Sequence, residues 1–208
     1  MTDTVSSTPL VVVISGPSGA GKTTLCDNVR AALPSVSRAV TCTTRKPRDG
    51  ELDGVDYYFL GEDEFLGRVE GGEFLENAVV YGNHYGVLKS ELRAKLAEGS
   101  DVLLNIDVQG AATIREAAAD DPVLNEALLT VFLCPASLGE LEQRLRGRST
   151  DSDEIIANRL AIARDEMDQA EKFDHKLTSQ TREADLGQML GIIERARLAK
   201  RETVSTDE

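Results

Sequence analysis

Residues Gly16-Pro-Ser-Gly-Ala-Gly-Lys-Thr23, close to the start of the chain, have the types and spacing needed to hold a polyphosphate. They match G-x-x-x-x-G-K-[ST], and the context agrees, because an apolar run at 10–14 precedes them and a helical pattern follows. Glycines let the backbone curl so that several N–H groups converge on one phosphate. The helix that follows adds the partial positive charge of its N-terminus. Lys22 supplies a mobile charge for the β- and γ-phosphates, and the Thr23 hydroxyl suits a Mg²⁺ ion carried with the triphosphate. The candidate set for a nucleotide of the ATP type is therefore Gly16, Pro17, Ser18, Gly19, Ala20, Gly21, Lys22, Thr23 and Thr24.

A second concentration of chemistry follows. Arg38, Arg45, Lys46 and Arg48 stand with no acidic residue among them, in a chain whose formal net charge is -13. Arg45 and Arg48, fixed around Pro47, can present two planar forks to one phosphate. The hydroxyls of Tyr57 and Tyr85 can complete its shell.

Six segments then form a wider pattern. They are Thr41-Cys-Thr-Thr-Arg-Lys-Pro-Arg-Asp-Gly-Glu51, Gly54-Val-Asp-Tyr-Tyr-Phe59, Glu73-Phe-Leu-Glu76, Gly82-Asn-His-Tyr-Gly86, Ile106-Asp-Val-Gln-Gly110 and Arg144-Leu-Arg-Gly-Arg148. Their order and spacing resemble the guanylate kinases across roughly residues 10–175. The resemblance implies transfer of the ATP γ-phosphoryl group to GMP, and to dGMP, with Mg²⁺ bound alongside ATP. It implies that Arg45, Arg48, Tyr57 and Tyr85 hold the GMP phosphate. Glu76 resembles the carboxylate that accepts from guanine N1 and the exocyclic amine, Asp107 a second acceptor on that edge, and Thr41 replaces the usual Ser. Adenine offers the reverse pattern, so AMP would leave a buried carboxylate unpaired.

By the same resemblance Arg144, Arg148 and Arg159 are catalytic arginines of a lid that closes over the γ-phosphate, together with Lys22 of the loop. Closure would exclude water, which otherwise competes as acceptor. The chain departs from the family at three places: Val87 replaces a Ser or Thr, Asn105 replaces an Asp, and Gln180-Thr181 replaces an Asn-Asp pair that frames the adenine. Three other readings fit less well. A non-catalytic peptide-binding relative tends to lose the phosphate loop, a kinase of ribosyl phosphates needs no base-reading carboxylate, and a P-loop GTPase would carry an Asn-Lys-x-Asp segment.

These residues need a scaffold. The apolar runs 10–14, 102–106 and 128–133 are continuous, as in parallel strands covered on both faces. Helices are expected at 22–33, 109–118, 137–146, 153–172 and 186–200, the third opened by Ser137 with Glu140 three residues on. This alternation predicts an α/β P-loop NTPase fold, a mostly parallel sheet with helices on both faces. The core is placed at 10–40 and 90–201, with a lid at 144–160. The glycine-rich stretch 41–89 breaks the rhythm and is read as a small mixed α/β insertion for GMP, while 1–9 and 202–208 are read as disordered ends.

Composition narrows the partners. Net charge of -13 argues against nucleic acid and anionic membranes, and with no Trp the chain lacks material for a base-stacking surface. Cys26, Cys42 and Cys134 are an odd, scattered set, and His84 and His175 are too far apart for a zinc site. The N-terminal stretch has neither a basic region nor a long apolar run, which points to a cytoplasmic protein, monomer or homodimer, acting on the small molecules ATP and GMP.

Overall fold

The computed structural model describes residues 9–80, 82–147 and 152–204. The chain opens with β1 (Val11–Ser15), α1 (Lys22–Ala32) and β2 (Val36–Arg38). It then crosses to β3 (Thr41–Thr43), β4 (Tyr57–Phe59), α2 (Glu62–Glu70), β5 (Phe74–Val80) and β6 (Asn83–Leu88). From there it returns through α3 (Lys89–Ala97), β7 (Asp101–Asn105), α4 (Val108–Ala119), α5 (Pro122–Ala127) and β8 (Leu128–Cys134). The last part comprises α6 (Leu138–Arg146), α7 (Asp153–Met167), a 3₁₀ turn at Asp168–Lys172, β9 (His175–Thr178) and α8 (Arg182–Val204).

Two sheets result. The first is five-stranded, ordered β2-β7-β1-β8-β9, and every pair in it is parallel. Its central strands carry no polar face because helices cover both sides. Val11 and Val13 pack with Ile114, Phe132 and Phe173 on one side, and Val12 and Ile14 with Leu25, Val29 and Met189 on the other. Strand order reverses at β1, so the loop after it opens into the crevice at the carboxyl ends of the strands, where α/β folds bind ligands. The phosphate-loop sequence occupies that turn.

The second sheet, ordered β4-β3-β6-β5, is mixed: β3 pairs parallel with β4, and the other pairs are antiparallel. It has its own small core of Cys42, Phe65, Phe74 and Leu88. The backbone passes between the sheets twice, at residues 39–40 and where β6 runs directly into α3. Glu91 on α3 braces the first crossing by accepting from the Val40 N–H at 3.1 Å.

One expected helix is broken. The stripe on 153–172 is regular, yet the helix tightens to 3₁₀ after Met167. The cause is a change of partner: Ile156, Leu160 and Ala163 pack on Leu141 and Leu145 of α6, whereas Met167 and Ala170 join the main core. The last helix extends beyond 186–200 at both ends. It is held to the sheet by Arg197, whose Nε donates to Asp101 at 2.9 Å, while the other Asp101 oxygen accepts from the Leu10 N–H at 2.7 Å. The residues expected to fray, 1–9 and 202–208, fall mostly outside the described residues. Among the described residues no helix is long and apolar enough to cross a membrane.

Candidate active site

The phosphate loop is shaped by close backbone packing. Gly16 has φ 140°, and a Cβ there would stand 2.4 Å from the Leu133 carbonyl oxygen, so a side chain is excluded twice over. Lys22 folds back over the loop, its Nζ donating to the carbonyls of Gly16 at 2.5 Å and Pro17 at 3.1 Å. Thr23 is exposed at the head of α1, and its hydroxyl oxygen accepts from Asn105 Nδ2 at 3.2 Å.

Arg144 is docked on the loop. Its Nη1 donates to the Ala20 carbonyl at 3.0 Å, and its Nη2 donates to Glu140 at 2.5 Å and Ser179 Oγ at 3.2 Å. Ser179 Oγ in turn donates a hydrogen bond to Asp185 at 2.9 Å, and Asp185 also accepts from the Gln180 N–H at 2.7 Å. Beside this network lies a cavity of about 480 Å³, lined by Gly19, Gly21, Thr24, Asn28, Arg144, Gln180 and Thr181. Arg159 is half-buried on α7. Arg148 lies outside the described residues.

The second sheet gathers the other group. Register places Thr41 opposite Tyr57 and Thr43 opposite Tyr85, and the two tyrosine rings meet edge to face at 6.2 Å. The Arg45 guanidinium lies 5.2 Å from the centre of the Tyr57 ring and also hydrogen-bonds the Tyr85 side chain. Its Nη2 donates to both oxygens of Glu51, at 2.9 and 3.0 Å. Arg48 is exposed, and its backbone N–H donates to the same Glu51 at 2.8 Å. Glu51 thus orients the whole Arg45–Arg48 turn.

Glu76 sits on β5 only 3% exposed, at the register shift between Phe74 and Glu76. Its carboxyl accepts from the Val87 N–H, and burial, reinforced by the charge of Asp107, pushes its pKa up to about 8. The Val87 side chain, at the position of a family hydroxyl, packs into the main core instead. Asp107 caps α4, accepting from the Gly110 N–H at 2.8 Å. Gly110 is what lets the two sheets meet here, since a Cβ on it would stand 2.5 Å from Glu76 Oε2. Gly110→Ala should displace the Glu76 carboxyl and weaken the ligand expected there from the sequence, GMP, by about tenfold or more, the value of a charge-assisted hydrogen bond. Steady-state KM values would check it, and an unchanged KM for GMP would overturn the expectation that Glu76 reads the acceptor.

One carboxylate is absent from the sequence reading. Glu166, half-buried in the last turn of α7, is pushed up to about 7 by burial, with Lys22 opposing the shift and Asp107 adding to it. It therefore shares the field of the phosphate loop and of the second acid site. In the sequence it resembles any acidic residue on a solvated helix face. Its one local signal is its place beside Met167, where α7 turns into the main core.

A phosphate loop at the switch point of a parallel sheet, joined to a smaller mixed sheet beside which Arg45 and Arg48 stand, defines the class: a P-loop kinase fold. The family model described as guanylate kinase matches residues 8–196. The guanylate kinase of Cereibacter sphaeroides is 44% identical over 179 residues, 86% of this chain and 82% of the relative. That of Methylobacillus flagellatus is 43% identical over 191 residues, 90% of each chain. The crystal structure of guanylate kinase from Anaplasma phagocytophilum superposes with a TM-score of 0.73 at 30% identity, covering 92% of this chain and 87% of that one. The chain belongs to the guanylate kinase family.

Proposed function

We propose that the chain transfers the terminal phosphoryl group of ATP to GMP, giving ADP and GDP. The observation that carries this reading is Glu76, a buried carboxyl with Asp107 beside it, on the sheet that also holds Arg45 and the two tyrosines. Guanine presents N1–H and an exocyclic amine on one edge, two donors that an ionised carboxylate can accept together. Arg45, Arg48, Tyr57 and Tyr85 take the acceptor phosphate, and Thr41 lies on the strand paired with Tyr57.

On the donor side Lys22 and the loop N–H groups hold the β- and γ-phosphates. Arg144, Arg148 and Arg159 neutralise charge as it moves between the nucleotides, with Arg144 already braced against the loop carbonyl. Transfer depends on alignment and charge neutralisation rather than covalent help. The acceptor is a phosphate oxygen, already anionic, so no protein base is needed to generate it.

The exposed Thr23 hydroxyl suits Mg²⁺, while Asn105, standing where the family resemblance expects Asp, offers that hydroxyl its amide Nδ2 rather than a carboxylate to the cation. This hard cation takes oxygen donors, keeps phosphate and water ligands, and asks for few from the protein. When bound with ATP it neutralises charge on the β- and γ-oxygens. The proposed substrates are free nucleotides, which places the reaction in the cytoplasm.

A coupled assay offering ATP with GMP, AMP, CMP and UMP separately tests the function, and turnover of none or of all alike would overturn it. Glu76→Gln should lower the preference for GMP over AMP by about 10²-fold or more, because the amide can donate as well as accept. The pH profile adds a sign. Guanine needs Glu76 ionised, and in the empty site its pKa is raised to about 8, so GMP affinity should climb with pH and level off above about 8. The Gln variant should lose that slope. Isothermal titration between pH 6 and 9 reads it, and a flat wild-type profile would contradict the assignment.

A further inference from the structure

Arg38 ends β2 on the core sheet, just before the chain crosses into the second sheet. Its side chain makes the same crossing. Nη2 donates to the Asp56 carbonyl at 3.1 Å, and the guanidinium carbon lies 5.7 Å from the centre of the Tyr57 ring. That ring also carries Arg45 at 5.2 Å, so two guanidinium groups gather on one tyrosine. They differ in pairing. Arg45 is engaged by both oxygens of Glu51, whereas Arg38 has no ion-pair partner among the described residues. Its Nε is buried and lacks any hydrogen-bond partner there.

A buried guanidinium donor without an acceptor is costly, and sites retain such groups when a ligand supplies the missing atom. The guanidinium is positively charged and stands at the Tyr57 ring, so an anionic acceptor there would suit it best. We infer that Arg38 is a further ligand for the acceptor phosphate, supplying from the core sheet the uncompensated positive charge that the Arg45–Glu51 pair cannot. The group it recognises is a phosphomonoester dianion. Because Arg38 belongs to the core and Tyr57 to the second sheet, the bound phosphate bridges both sheets and draws the acceptor toward the loop. This assignment rests on the acceptor site proposed above and adds a residue to it.

The experiment compares wild type with Arg38→Gln and Arg38→Lys, measuring KM for GMP and for ATP at two salt concentrations. Arg38→Gln should raise the KM for GMP about tenfold while leaving that for ATP within about twofold, and should flatten the dependence of GMP affinity on salt. Arg38→Lys, which keeps the charge but not the planar fork, should recover affinity to within about threefold and restore the salt slope. A structural brace alone would not give that slope, and thermal melting shows whether either variant is misfolded. An unchanged KM for GMP in Arg38→Gln, an equal rise for ATP, or the same loss in Arg38→Lys with no salt dependence would each overturn the inference. Should wild type turn over ATP and GMP while Arg38→Gln behaves identically, this inference alone fails. Should wild type not turn over GMP, the acceptor reading itself fails.

Discussion

Lys22→Ala is expected to lower turnover by about 10²- to 10⁴-fold while leaving the affinity for GMP within a few-fold of wild type. The first half follows from where charge develops. During transfer, negative charge moves from the γ-phosphate toward the β-oxygens of the leaving ADP, and a fixed cation at that point is worth more there than in the ground state. Lys22 is the mobile cation of the loop, and its Nζ is parked on the Gly16 and Pro17 carbonyls. Both acceptors belong to the loop itself, so the ammonium has only a short distance to move to meet a polyphosphate. The second half follows from geography: Glu76 on β5 and Arg45 just after β3 belong to the second sheet, whereas Lys22 begins α1 against the first. Steady-state kcat with saturating GMP, beside calorimetric GMP binding in the absence of ATP, separates the two halves. Near-normal kcat would remove Lys22 from the transfer step, and a parallel collapse of GMP binding would point to a disordered loop instead.

What could be read directly from the sequence is what is encoded locally. The phosphate loop is one contiguous segment between an apolar strand and a helix pattern, so residues 10–33 carry nearly all the information about themselves. The central strands were equally plain, because burial on both faces leaves no polar alternation to misread. The edges of the main sheet were not legible. β2 is only Val-Ser-Arg, and β9 contributes a single fully buried side chain, Leu177, between polar neighbours. Both are strands only because β7 and β8 offer them a free edge.

The candidate site divides the same way. Motif-borne residues could be named in advance, but their present partners could not. The family resemblance makes Arg144 a lid arginine, and only the fold reveals that it is held by Ala20 and Ser179, 124 and 35 positions away. The substitution at Val87 raises the question of a lost base contact. In the structure its side chain is core and its backbone N–H serves Glu76. Glu166 is a feature of tertiary electrostatics alone, visible once α7 is laid against the loop. Long-range pairing, not residue type, separates these cases.

Arg45→Ala should raise the KM for GMP by about 30-fold or more, with little change in that for ATP. The size comes from two effects of the same sign. Removing the guanidinium deletes a charge-assisted contact to the acceptor phosphate, worth about 1.5–3 kcal/mol or roughly 10- to 100-fold. It also strips Glu51 of the partner that engages both its oxygens, leaving a carboxylate beside an incoming dianion. Arg45→Ala with Glu51→Ala should therefore bind GMP better than Arg45→Ala alone, although the double variant carries more damage. An isolated contact would give no such recovery, since distant or independent substitutions simply add. Glu51 also accepts the Arg48 N–H at 2.8 Å, so the double variant loosens the turn that aims Arg48 and recovery should be partial. The measurement is KM for GMP and for ATP across the four members of the cycle. Equal effects on both substrates, or strict additivity, would show that Arg45 acts only on the shape of its loop and that the acceptor phosphate is held elsewhere.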